Sequence, residues 1–240
     1  MVSLPTDFQN NFLIILRLVH FLAGITWIGL LYFFNLVSTP VAKEIDLAAR
    51  VKVYPKLMLR GLWWFRWSAF VTVIAGLMYW GEVVHGDAAG AHATSGAVMG
   101  SFFGIWTAVW AILYALLIPG KGILNKGPVL AVLVTIVVIA ACCLFLRLNH
   151  HGWESNNLLA IGLGGGIGWV LMLNVWGIVW RIQKRLIAWT QASAENGTPM
   201  PDRAERMARM AFLVSRISAW LTIPLLFFMA VASHYPMFVQ

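Results

Sequence analysis

The 240-residue chain is 60% hydrophobic and only 11% charged, with a mean hydropathy of +0.79. A soluble domain carries about 25% charged residues, so a water-soluble fold is excluded and the chain reads as an integral membrane protein. The net charge of +8 then belongs to loops facing anionic lipid headgroups rather than to a nucleic-acid surface.

Pro5, Asp7 and Gln9 precede the first apolar run and no basic stretch stands before it, so no cleavable signal peptide is expected. Six runs of transmembrane length follow, at about 12–37, 62–84, 98–118, 128–148, 158–180 and 208–234. Each is close to the roughly 20 residues that cross a hydrocarbon core. Backbone without water to satisfy it must be helical. The expected fold is therefore a single all-α domain, residues 1–240, with six transmembrane helices.

Charge sorts the connections. Lys43, Arg50, Lys52, Lys56 and Arg60 follow the first run, Lys121 and Lys126 the third, and Arg181, Lys184, Arg185, Arg203, Arg206 and Arg209 the fifth. The other connections and both tails hold no Lys or Arg, unless Arg147 at the end of the fourth run is counted. Cytoplasmic loops collect Lys and Arg, so both termini are expected outside, in the periplasm for a bacterial inner-membrane protein. Residues 40–60 alternate apolar and charged positions and read as an interfacial helix that Pro55 ends or kinks. Residues 85–96, HGDAAGAHATSG, read as a mobile loop, and 186–205 as a polar hairpin rich in turn residues. The adjacent Cys142 and Cys143 lie inside an apolar run, which excludes a structural disulfide framework.

All six histidines (20, 85, 92, 150, 151 and 234) fall toward the side opposite the basic loops. His20, Gly24 and Trp27 sit at i, i+4 and i+7, with Arg17 at i−3, so the four share one helical stripe. An ionisable group inside a span faces protein or a cavity. A histidine with a small residue one turn away offers a flat macrocycle a ligand nitrogen and room against the backbone, and Arg17 is placed to pair with a propionate. A histidine making only an interhelical hydrogen bond fits the same stripe.

A second histidine from the outer ends, with His234 at the close of the last run as a candidate, would complete a six-coordinate b-type haem, though spacing alone does not select that partner. His85, His150 and His151 form an alternative trio that would suit copper. Arg66 and Arg216, within two turns of the basic side, read as snorkelling cations stacked on tryptophans, or as holders of an anionic cofactor, lipid or quinone headgroup. The glycines at 162, 164, 165, 166 and 168 permit close helix contact. GLGGGIG follows no strand and is not a dinucleotide fingerprint.

The first span, HFLAGITWIGLLYFFN, resembles the opening of the membrane domain of bacterial membrane-bound urate oxidase (urate hydroxylase). The tract from NVWGIVWRIQKRL to SRISAWLTIPLLFFMAVASHYPM resembles it too, with the ending matched at Pro224, Leu226, Phe227, Met229, Ser233, His234, Tyr235, Pro236 and Met237. The resemblance implies a multi-span domain that oxidises urate and passes electrons to a cytochrome c, usually fused at its C-terminus. With the sequence reaching Gln240, that module is expected to be absent and the membrane domain shorter by about two spans, and Ser68 stands where an acidic residue is expected after the WFRW tract. The HxxxGxxWxG pattern is also similar to haem-binding four-span protoporphyrinogen oxidases and to the copper-resistance D membrane family, which favours His20 as a ligand.

The expectation is a redox-active membrane subunit holding b-type haem near the periplasmic side on His20 and His234. Arg17, Gly24 and Trp27 would line that site. Electrons would pass to a separate cytochrome c or a larger respiratory complex. The alternative is a cofactor-free accessory subunit of a larger membrane enzyme.

Overall fold

A computed structural model describes residues 7–118 and 122–238, the side chains at 47–50 and 125 excepted. Lys121 and the Arg50 side chain, counted above among the basic loops, therefore lie outside the described residues. The described chain is all helical, and six helices are long and apolar enough to cross a membrane: α1 Phe8–Glu44, α2 Leu47–Gly90, α3 Ser95–Leu117, α4 Gly127–Asn149, α5 Asn156–Asn196 and α6 Arg203–His234. This is a multi-pass membrane protein.

Asp7 starts α1 by accepting hydrogen bonds from the N–H groups of Gln9 and Asn10, at 3.3 and 3.0 Å. Two helices carry a π-helical turn, Phe33–Ser38 in α1 and Asn174–Val179 in α5. Each opens space for a buried asparagine to reach α6. Asn35 Nδ2 donates to Ser215 Oγ at 2.8 Å, and Asn174 Nδ2 donates to Ser218 Oγ at 3.3 Å. Tyr32 and Thr222 join the same layer through a 2.7 Å hydroxyl contact.

Three expectations about the connections need correction. Residues 47–60 are the first turns of α2, and Pro55 sits inside that helix without ending it. Met58 and Leu62 bury against α1, where Ser38 lies 3.4 Å from Tyr54, and this packing outweighs the hydrogen bond lost to the proline ring. The stretch from His85 to Gly90 is helical as well, and His92 takes a positive φ of 54° just past the helix end. Beyond the apolar run α5 continues to Asn196, with Ile182 and Ile187 buried, and only 197–202 turn. Gly197 makes the stop with φ +66°.

α5 is the axis of the bundle and packs against α2, α3, α4 and α6. Its glycines are notches for neighbouring side chains. A Cβ on Gly162 would lie 2.5 Å from Phe145 of α4, and one on Gly166 would fall inside the Trp106 indole of α3. At Gly164 the neighbour is α6 itself, with Leu225 O at 3.1 Å and Phe228 Cβ at 3.0 Å from a built Cβ. The sequence expectation of close contact through small residues holds, and three different partners use it. At the end of α6, Asn156 ties down the chain. Its amide donates to the carbonyls of Val231, Ala232 and Tyr235, and its oxygen accepts from the N–H groups of Met237 and Phe238, all at 3.0–3.1 Å.

Candidate functional site

Between α1, α2, α5 and α6, in the half nearer the histidine-bearing connections, lies a cavity of about 400 Å³. Small-molecule sites occupy roughly 300–1,000 Å³. The predicted stripe faces it: Arg17, His20, Gly24 and Trp27 all line the cavity. The opposite walls come from Thr72, Gly76 and Tyr79 of α2, Gly164, Gly165 and Gly168 of α5, and Leu225, Met229 and Ser233 of α6.

His20 Nδ1 lies 2.8 Å from the backbone oxygen of Thr72. A carbonyl only accepts, so Nδ1 carries the proton and donates it. In the neutral ring this leaves the lone pair on Nε2, which has no hydrogen-bond partner among the described residues. Metal-bound histidines are commonly fixed in this way by a backbone carbonyl on the other nitrogen. Gly76 makes the arrangement possible, because a Cβ there would stand 2.8 Å from His20 Cε1 and 2.9 Å from Nδ1. Gly24 has a different use. A Cβ on it would meet only Thr72, at an ordinary 3.6 Å, so helix packing does not demand a glycine and its missing side chain widens the cavity.

Trp27 is 2% exposed, and its indole N–H finds no acceptor. A buried donor left unpaired costs roughly 1–3 kcal/mol, so an acceptor within the cavity would relieve it. Arg17 is exposed and lies 5.3 Å over the Tyr79 ring. The wall is therefore largely apolar and glycine-rich, with the His20 imidazole, the Trp27 indole N–H, the Arg17 guanidinium and the hydroxyl-bearing Thr72, Tyr79 and Ser233 as its polar residues.

The other predicted residues are not brought to this cavity. His234 closes α6 but is exposed, and Ser233 beside it lines the wall instead. His85, His150 and His151 are exposed. Among the described residues no three His, Cys, Asp or Glu side chains gather in a metal-binding group. His151 is engaged by Glu154: its backbone N–H donates to Oε2 at 2.7 Å, and Nδ1 lies 3.0 Å from Oε1. Burial works against the charge on Glu154, but these hydrogen bonds and the nearby imidazole outweigh it and hold its pKa below the ordinary carboxylate value.

Ser68, at the position where an acid was expected, is buried and spends its hydroxyl on the Trp64 and Phe65 carbonyls of its own helix. Arg66 follows the stacking expectation, with its guanidinium 4.0 Å from the Trp180 ring centre, 5.3 Å from Trp176 and 5.5 Å from Trp67. Arg216 stacks on Phe212 at 5.3 Å.

Sequence reasoning missed Thr72, Gly76 and Met229. Gly76 is one of five glycines in α2, and nothing in the sequence singles it out or pairs it with His20.

Residues 45–240 match the family model described as urate oxidase N-terminal, so the chain belongs to that family. The match leaves out residues 1–44, and with them the helix that carries His20. No curated protein and no solved structure matches the chain.

Proposed function

We propose that this member of the urate oxidase N-terminal family is a redox-active subunit of the bacterial inner membrane. Its cavity between α1, α2, α5 and α6 would hold a b-type haem on His20, and electrons would leave to a separate periplasmic cytochrome c or a larger respiratory complex. The observation that carries the reading is the His20 ring, whose proton is fixed on Nδ1 by Thr72 O while Nε2 is left unpartnered in a glycine-lined cavity. A bound b-type haem supplies a one-electron carrier.

The residues present suit such a group. His20 offers the ligand nitrogen, Gly24 and Gly165 leave room on the walls, and Arg17 is placed to pair with a propionate. Trp27 supplies a buried donor. On the α6 side the soft donor already on the wall is the Met229 thioether, whereas His234 would need the last turn of its helix to rotate.

The accessory-subunit reading has its own support. The His20–Thr72 hydrogen bond ties α1 to α2 without any ligand, and α1 exposes Ile14, Leu18, Phe21, Leu22 and Ile25 to lipid or to a partner helix. Reduced-minus-oxidised visible spectra of the purified protein, made where haem is plentiful, separate the two readings. A b-type α-band lost in His20→Ala supports the haem site. A featureless spectrum from folded protein refutes it and leaves the accessory subunit.

A further inference from the structure

A second, larger cavity runs as a groove between α4 and α6, with a volume of about 1,030 Å³. It follows α4 from Gly127 to Leu146, about 28 Å at 1.5 Å per residue, and Leu163 and Ile167 of α5 form its floor. The wall is hydrocarbon almost throughout, with Val134, Val138, Leu213 and Ile217 along it. Its charged groups are two arginines, Arg209 and Arg216, both at the end of the bundle that carries the basic loops.

Arg209 and Arg216 both stack on Phe212, with their guanidiniums 5.5 and 5.3 Å from its ring centre. Arg216 has no carboxylate within ion-pair distance among the described residues. An apolar trough ending in paired arginines matches an amphiphile with a hydrocarbon tail and an anionic head. Basic pockets between helices on the cytoplasmic side are where anionic headgroups bind.

We propose that the α4–α6 groove is a binding site for one anionic phospholipid of the leaflet facing the basic loops. Its phosphate lies between Arg209 and Arg216, and its acyl chains run along Val134, Val138, Leu213 and Ile217. The site is independent of the His20 cavity and of any redox role.

Native mass spectrometry of the whole protein, released from mixed micelles of phosphatidylglycerol and phosphatidylcholine with identical chains, tests this. One phosphatidylglycerol should survive collision energies that strip phosphatidylcholine. The Arg209→Gln/Arg216→Gln pair should weaken its retention by roughly tenfold or more, and Arg216→Lys should keep most of it. Ala131→Trp, which fills the groove while leaving both arginines, should also abolish it. A Lys184→Gln/Arg185→Gln control, equally basic but outside the groove, should change nothing. Equal retention of the two lipids overturns the proposal, as does an equal loss in the control pair or undiminished retention in Ala131→Trp.

Discussion

Gly76→Ala is the sharpest single test of how the His20 site is built. The new methyl carbon would stand 2.8 Å from His20 Cε1 and 2.9 Å from Nδ1, so the imidazole must turn away and release the Thr72 carbonyl. Overpacking of this kind costs about 1–3 kcal/mol, and losing the hydrogen bond adds about 1 kcal/mol. Alanine returns up to about 1 kcal/mol in a helix interior, leaving a net loss of about 1–3 kcal/mol. Gly81 and Gly86 lie in the same helix with nothing within 4 Å of a built Cβ, so their alanine variants should be neutral or more stable by about 0.5–1 kcal/mol.

Thermal unfolding in one detergent, followed by near-UV circular dichroism, should therefore place Gly76→Ala well below both controls. The cycle closes with His20→Ala. Without the ring the methyl has space, so Gly76→Ala should cost nothing in that background, giving a coupling as large as the original penalty. If Gly76→Ala melts with Gly81→Ala, or its cost persists in His20→Ala, the geometry described for the site is wrong.

Gly166→Ala should be among the most damaging single changes, at about 3 kcal/mol or more, because a Cβ there falls inside the Trp106 indole; loss of the monodisperse gel-filtration peak reads it. Asn156→Ala removes five hydrogen bonds from the end of α6 and should cost about 2–4 kcal/mol, visible as a lower melting point and faster proteolysis near Met237. Glu154 has a lowered folded pKa, so its stabilisation is complete above the unfolded carboxyl value of about 4.3 and is lost as pH falls through the folded value. Glu154→Gln should accordingly flatten the acid limb of the stability–pH curve and leave its neutral part parallel to wild type. If haem is bound, His234→Ala should keep the α-band that His20→Ala removes, because His234 is exposed and off the cavity wall; loss of the band in both would restore His234 as the second ligand.

Six spans were legible because lipid imposes a length and a composition that few other environments do. The ends of the helices were not, since α2 and α5 carry their helical backbone past the apolar runs into polar sequence such as WRIQKRLIAWTQASAEN. There propensity and local packing decide, and hydropathy is silent. The α1 side of the cavity was readable because Arg17, His20, Gly24 and Trp27 are joined by helical periodicity alone. Its other walls were not readable, since nothing in the sequence says that Thr72 and Gly76 face His20. The same limit left open which helix face His234 presents, and it is exposed beside Ser233 of the wall.

The notches of α5 bear on the order in which the chain is made. Synthesis proceeds from the N-terminus, so Trp80, Trp106 and Phe145 enter the membrane before the helix that receives them. Until α5 follows, these rings lack the notches that receive them, although Trp80 already has Phe102 of α3 beside it at 4.6 Å. The half-made protein is then two helix pairs, α1 with α2 and α3 with α4, which the fifth insertion joins into one bundle. Lesions in the glycine tract should accordingly lower the yield of inserted protein, through nascent chains handed to membrane proteases, as well as destabilise what is recovered.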